Sequence, residues 1–259
     1  MKVAYDFSGS SVVIAGAASG IGRATALACL DAGATVAAVD IDAAGLASLT
    51  GDRCMTLPLD IADAAAVQSA VDQVMARTGR IDAAILASAI QKRTPIDELS
   101  DAEWQRHLDV NLSGVFHFLR ALFPVMKAQR SGAIVAFTSG LASNGWPGAA
   151  AYAATKAGIV GLVKSAALEL RDYGVRINAV SPGLVATPVF LEAASAEELA
   201  MYERSFGVSA PAEVVPTLLH LISDGGLTIS GNVVERRLIP RTARPEDPSS
   251  RPARAPPKR

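Results

Sequence analysis

Short runs of apolar, largely β-branched residues recur along this chain, each followed by a longer stretch with helical patterning. The runs fall near Val12–Ile14, Thr35–Val39, Cys54–Leu57, Ala83–Leu86, Ala133–Phe137 and Val175–Val180. The helical stretches lie near Ile21–Ala32, Ala43–Leu49, Ala64–Thr78, Asp101–Ala128 and Ala149–Tyr173. Because the runs are continuously apolar rather than alternating, a strand built from one must be covered on both faces. Crossover helices provide that cover when the strands are parallel and the connections right-handed. The pattern predicts an α/β fold, a doubly wound parallel sheet with helices on both faces, in a single domain. Ligands of such sheets sit beyond the carboxyl ends of the strands, where strand order reverses.

Composition narrows the function classes. At 259 residues, half of them apolar but only 5% aromatic, the chain can bury a large core of Ala, Val, Leu and Ile in closely approaching backbones. Its 24 basic and 25 acidic side chains leave a net charge of −1, with no sequence-wide basic field for nucleic acid. Cys29 and Cys54 have no metal-ligand spacing and read as small core hydrophobes in a reducing compartment. The three histidines, His107, His117 and His220, are scattered, so metal catalysis is not expected. Met1 to Gly9 lacks a secretory pattern, and the densest later apolar stretch, Val115–Met126, is broken by His117 and Arg120. A cytoplasmic protein with no membrane partner is expected. Residues 1–239 form the expected domain. Residues 240–259, with six prolines, five Arg and one Lys, read as a disordered basic tail.

The first apolar run ends in Gly16-Ala17-Ala18-Ser19-Gly20-Ile21-Gly22, which leads into a helix. Glycines there let the backbone turn tightly and approach a pyrophosphate, whose charge meets free amides at the helix N-terminus. A plain tight turn is the alternative. Asp40 ends the second run, twenty-four residues after Gly16. A carboxylate there accepts from both ribose hydroxyls of NAD and repels the 2′-phosphate of NADP. Ile41, Asp42 and Ser19 supply no cation for such a phosphate. Asp60 is a second strand-end carboxylate, placed to meet an adenine amino group or to stand solvated in a loop.

Tyr152 and Lys156 are four residues apart and share a face if the segment is helical. The ammonium would then favour the ionised phenol. Bringing a phenol from about 10 to about 7 takes roughly 4 kcal/mol of differential stabilisation, within reach of an ammonium plus a cationic nicotinamide in a water-poor cleft. Surface packing is the alternative for an isolated Tyr and Lys at this spacing.

Taken together, Gly16-xxx-Gly20-x-Gly22, Asn111 in Val110-Asn111-Leu112, Ser139 thirteen residues before Tyr152, Tyr152-xxx-Lys156, and Ser181-Pro182-Gly183 followed by Thr187 resemble the short-chain dehydrogenase/reductase family in its compact form. The likeness runs from about Val12 to Thr187, with a weaker echo to Val234, and implies a Rossmann-type sheet. It further implies that Tyr152 is the general acid/base, that Lys156 lowers its pKa and holds the nicotinamide ribose, and that Ser139 positions the substrate oxygen. Asn111 resembles the helix-kinking residue whose carbonyl holds a water in the proton relay to Lys156. Pro182, Gly183 and Thr187 resemble the loop that seats the nicotinamide carboxamide. By the same likeness Gly16, Ser19, Gly20, Ile21, Gly22, Asp40, Asp60, Ile61, Ala87, Ser88 and Val185 surround NAD. Hydride transfer is the cofactor's chemistry; the protein orients the ring and supplies the proton.

Three positions depart from the family pattern. Ala15 replaces a Thr before the first glycine. Ala87-Ser88-Ala89-Ile90 stands where Asn-Asn-Ala-Gly is usual, so Ile90 is expected to crowd the ribose or to divert the loop Gln91–Pro95. At the end, Val233-Val234 run into Glu235-Arg236-Arg237 instead of Asp-Gly-Gly.

Substrate identity is expected to reside in a helical lid over Val189–Phe206, the loop Leu141–Gly148 and residues Gln91–Thr94. Trp146, Phe190, Leu191, Met201, Tyr202 and Phe206 suggest an apolar wall for a hydrophobic or cyclic ketone or secondary alcohol. Lys92 or Arg93 is placed to meet an anionic group or to remain a solvated loop charge. The expected function is NAD-dependent interconversion of a secondary alcohol and a ketone (3-oxoacyl, cyclic or otherwise hydrophobic). The alternative is a weak or inactive dinucleotide-binding scaffold or sensor. The resemblance also implies a homotetramer or homodimer built on the Ala149–Leu170 and Asp101–Ala128 helices.

Overall fold

The structure, a computed structural model, describes residues 3–237; the segment 240–259 and the domain boundary before it lie outside the described residues. The strands are β1 (Ser11–Ala15), β2 (Thr35–Asp40), β3 (Cys54–Pro58), β4 (Ala83–Leu86), β5 (Gly132–Phe137), β6 (Val175–Ser181) and β7 (Val233–Glu235). They form one sheet in the order β3-β2-β1-β4-β5-β6-β7, and every pairing is parallel. The order reverses between β1 and β4, so the crevice for a ligand opens beyond Ala15 and Leu86.

The central strands β1, β4 and β5 are buried along their whole length, as continuous apolar runs require. Their side chains divide by alternation between two cores. Val13, Ala15, Ala84 and Leu86 face the layer of α3 (Ala64–Thr78), α5 (Gly114–Gln129) and α7 (Ala150–Leu170), where Phe118, Leu122 and Ile159 are fully buried. Val12, Ile14, Ala83 and Ile85 face α1 (Gly20–Asp31) and α10 (Val215–Ile222); α2 (Ala43–Leu46) and α6 (Leu141–Asn144) are single turns. The α10 helix has no counterpart in the sequence reading. It is too short for a strong 3.6-residue signal, yet five of its eight residues are buried.

Helix ends follow local chemistry. Asp63 caps α3 by accepting from the amides of Ala65 and Ala66, and Gly79 ends it at φ 71°. The stretch expected as one helix over 101–128 is divided. Ser100 caps α4 (Asp101–Leu108), a π-helical turn spans Asp109–Ser113, and α5 follows. The π turn carries Asn111 inward to contacts no helix-propensity argument contains. The expected lid is likewise two helices, α8 (Pro188–Ala193) capped by Thr187 and α9 (Ala196–Ser205) capped by Ser195. No helix among the described residues is long and apolar enough to cross a membrane. Cys29 and Cys54 are free thiols.

Phe118 is 0% exposed between sheet and helices. Its replacement by Ala removes a ring and leaves a cavity, so Phe118→Ala should lower the unfolding free energy by about 3–5 kcal/mol, read as a drop in the urea midpoint.

Candidate active site

A cleft opens at the carboxyl ends of β1 and β4. The residues expected to surround NAD, together with Ser139, Tyr152 and Lys156, line it; Asn111 does not. Gly16 leaves β1 at φ 81°, in the left-handed region, and a Cβ there would lie 2.7 Å from the Ser88 amide nitrogen. At Gly22 a Cβ would lie 2.0 Å from the Gly16 carbonyl oxygen. The turn's glycines are therefore required by the close approach of its own backbone and of Ala87-Ser88, before any ligand is considered. Ser19 occupies the N-cap of α1 without capping it through its side chain, and the first turn holds no acidic residue. Those amides are available to an anion, so the turn fits a pyrophosphate.

Asp40 ties the second strand to this turn. One carboxylate oxygen accepts from the amide of Ala18 and the other from that of Asp42, each at 3.0 Å. Each oxygen retains a lone pair for a ribose hydroxyl. Asp60 accepts from the Ala62 amide at 2.9 Å and pairs with Arg106 at 3.0 Å. Arg106 lies on the cleft, and no local sequence signal marks it. Buried Ile61 packs on Gly114, where a Cβ would have no room.

On the other wall, α7 carries Tyr152 and Lys156 on one face, as their spacing predicts. The Lys156 ammonium lies 5.6 Å from the Tyr152 ring centre and donates to the Phe137 carbonyl at 2.9 Å. The Thr138 hydroxyl donates to the Lys156 carbonyl at 2.8 Å, locking α7 to the end of β5. Ser139 follows immediately and hydrogen-bonds with Tyr152, while its Oγ accepts from the Leu141 amide at 3.2 Å. Burial pushes the Tyr152 phenol up to about 12, opposed by the Ser139 hydrogen bond, and holds the Lys156 ammonium down at about 8. In the chain alone, desolvation of the phenolate outweighs what the neighbouring groups return; the acidic phenol expected from the sequence calls for the cationic nicotinamide as well. Tyr152 keeps some surface on the cleft, whereas Lys156 is 2% exposed.

Asn111 lies behind this wall. Its side-chain oxygen accepts from the Ile90 amide at 2.8 Å, and its Nδ2 donates to the Ile90 carbonyl at 2.9 Å. A longer contact at 3.4 Å reaches the Thr155 hydroxyl. The clamp accounts for Ile90: its backbone is held at both ends and its side chain packs against the core. The loop beyond is also fastened, by the Lys92 amide donating to His107 Nε2 at 3.3 Å and the Thr94 amide donating to the Gly148 carbonyl at 2.9 Å.

The altered terminus has a similar consequence. Arg236 donates to the carbonyls of Pro182 at 2.8 Å and Glu213 at 2.9 Å, holding the loop in which Gly183 takes φ 76°. Val185 is buried and bridges to Ser209. The Thr187 side chain closes over Gly20, its Cγ2 lying 3.1 Å from where a Cβ would stand.

Of the expected apolar wall, Trp146, Phe190 and Tyr202 line the cleft and pack together, with ring centres 5.9 Å apart in both the Trp146–Tyr202 and Phe190–Tyr202 pairs. Leu191, Met201 and Phe206 do not line it. Leu191 and Phe206 are 46% and 54% exposed, the Phe206 ring centre lying 6.4 Å from that of Tyr202. Lys92 also faces outward, paired with Glu103 at 2.6 Å, whereas Arg93 lines the cleft.

Fold and cleft together are those of a nucleotide-binding α/β oxidoreductase. The sequence profile of the short chain dehydrogenase family matches residues 10–198. The 3-oxoacyl-[acyl-carrier-protein] reductase FabG of Thermotoga maritima is 35% identical over 234 residues, covering 87% of this chain and 95% of that protein. The D-threitol dehydrogenase of Mycolicibacterium smegmatis is 36% identical over 242 residues, covering 89% and 93%. Among solved structures, levodione reductase superposes with a TM-score of 0.85 at 29% identity, covering 89% of this chain and 97% of that one. A 3-ketoacyl-(acyl-carrier-protein) reductase from Brucella melitensis complexed with NADH gives 0.83 at 26% identity, with the same coverage. The chain belongs to the short-chain dehydrogenase/reductase family and is an oxidoreductase acting on CH–OH or ketone groups.

A lysine whose pKa is held down at about 8, from an ordinary 10.5, binds fewer protons folded than unfolded between those values. Its contribution to stability therefore falls as pH drops through that window. Lys156→Met removes this dependence, so the urea midpoint of the variant relative to the native protein should be higher at pH 8 than at pH 10.

Proposed function

We propose that the protein is an NAD-dependent oxidoreductase interconverting a hydrophobic ketone and its secondary alcohol. The observation that carries the reading is the placement of Ser139, Tyr152 and Lys156 on one wall of a cleft whose other end is the glycine turn and Asp40. NAD, when bound, would supply the hydride chemistry at the substrate carbon. The amides at the start of α1 would hold the pyrophosphate, Asp40 would accept from the adenosine ribose hydroxyls, and the Pro182–Thr187 loop would hold the nicotinamide end. No lysine or arginine adjoins Asp40 in the chain to receive a 2′-phosphate, which supports NAD over NADP. The FabG-type relative in complex with NADH agrees with that choice.

Ser139 donates to the substrate oxygen and orients it toward Tyr152. The neutral phenol, favoured by burial, is the form that delivers a proton to that oxygen in the reduction direction. In oxidation Tyr152 receives the hydroxyl proton, and the Lys156 ammonium lowers the cost of the phenolate. Asn111 acts through Ile90, holding the chain beyond β4 against the cleft, and its place in the π turn is compatible with a water relay to Lys156. The wall of Trp146, Phe190 and Tyr202 suits an apolar or cyclic substrate. A cytoplasmic location and assembly as a homodimer or homotetramer belong to the same reading.

A screen of cyclic and acyl ketones with NADH, followed at the nicotinamide absorbance, tests it. Tyr152→Phe should reduce turnover by about 10²–10⁴-fold while NADH still binds; unchanged turnover would overturn the role given to Tyr152, and a native protein that binds NADH but reduces none of the ketones would favour a binding scaffold. NADH should bind more tightly than NADPH, and Asp40→Ala should weaken NADH by about 10- to 100-fold, the range for lost charged hydrogen bonds. Tighter NADPH binding by the native protein would defeat the role given to Asp40.

A further inference from the structure

Arg93 is a cation in the mainly apolar half of the cleft, and its charge is already answered. Nη1 donates to both carboxylate oxygens of Glu198, at 2.6 and 2.8 Å, and the guanidinium stands 5.9 Å over the Trp146 ring. Glu198 lies behind it, off the cleft lining. It also accepts from the Ser195 amide at 2.8 Å and from the Trp146 indole, which together with Arg93 hold its carboxyl below the usual range. The guanidinium is neutralised but not saturated. Its Nε–H is buried with no partner among the described residues, and Nη1 is the one donor nitrogen with a partner among them.

The Nε–H has no surface of its own, so the donor that a ligand can meet is Nη2, unpartnered among the described residues on a side chain that lines the cleft, and in an aromatic wall it calls for an acceptor. A carboxylate placed there would meet the standing charge of Glu198. An uncharged carbonyl or hydroxyl oxygen meets no such repulsion. We propose that Arg93 selects substrates bearing a second, uncharged oxygen besides the reacting carbonyl, and that Glu198 excludes carboxylates from the same place. This rests on the reading of the cleft as a ketone and alcohol site. Glu198 thereby acts as a positioning residue, linking the β4 loop, Trp146 and α9.

The test compares three probes of similar shape, 4-methylcyclohexanone, 4-hydroxycyclohexanone and 4-oxocyclohexanecarboxylate. Binding to the protein–NAD complex is read from Trp146 fluorescence in a Trp104→Phe background. The hydroxyl compound should bind about tenfold more tightly than the methyl compound, one hydrogen bond to a charged donor, and the carboxylate most weakly. Arg93→Met should equalise the methyl and hydroxyl compounds. Glu198→Gln keeps the side chain's size and its hydrogen bonds to the lid, and should raise carboxylate affinity about tenfold. Ratios taken within one variant cancel any change in the folded fraction. Equal binding of the methyl and hydroxyl compounds by the native protein, a hydroxyl preference surviving Arg93→Met, or native preference for the carboxylate would overturn the proposal. If the ranking holds but NADH reduces none of the probes, the oxidoreductase reading fails and the role of Arg93 stands; reduction without the ranking gives the reverse. A complex that binds none of the three overturns both.

Discussion

The approach of one backbone to another at the end of β1 organises this molecule. Gly16 brings the chain against the amide of Ser88, and Gly22 lets the first turn of α1 pack on the Gly16 carbonyl, at distances that leave no room for a Cβ. These contacts lie where the sheet order reverses, so the same lack of side chains that closes the strand–helix corner also exposes the helix amides to the cleft. Asp40 secures the arrangement from the neighbouring strand through the Ala18 amide. Its carboxylate thus has a structural task alongside the ribose contact proposed for it.

The opposite wall is governed by desolvation. Lys156 is buried against the Phe137 carbonyl and Tyr152 sits beside it, so burial disfavours the charged form of each. A cleft in which both charged forms are costly responds strongly to any charge brought in, which is the electrostatic setting a nicotinamide cofactor would exploit. Two of the three departures from the family pattern, Ile90 and the altered terminus, are absorbed by compensating contacts. Asn111 grips the backbone of Ile90 at both ends, and Arg236 grips the carbonyl of Pro182.

Much of this was legible in the chain because it is local. Parallel strands buried on both faces announce themselves as unbroken apolar runs, and a Tyr and Lys four apart on a helix must share a face. The glycine turn reads as one because positive φ and close packing both exclude side chains. The break between α4 and α5, the short α10 and the division of the lid were not legible. The first depends on Asn111 reaching Ile90, twenty-one residues away in sequence, and the second on burial by distant elements.

By itself the sequence determined the parallel sheet, its winding, the location of the cleft, and the glycine turn, Asp40, Tyr152 and Lys156 along it, since these follow from periodicity, backbone sterics and spacing within single elements; Ser139 and the Pro182–Thr187 loop were expected from the family resemblance. Only the tertiary structure decided which charges face the cleft and which are spent. Arg93 turns inward to Glu198 across 105 residues while its neighbour Lys92 pairs outward with Glu103. Adjacent residues in a loop carry the same charge in the sequence; their partners, and so their chemistry, come from segments that only folding brings near.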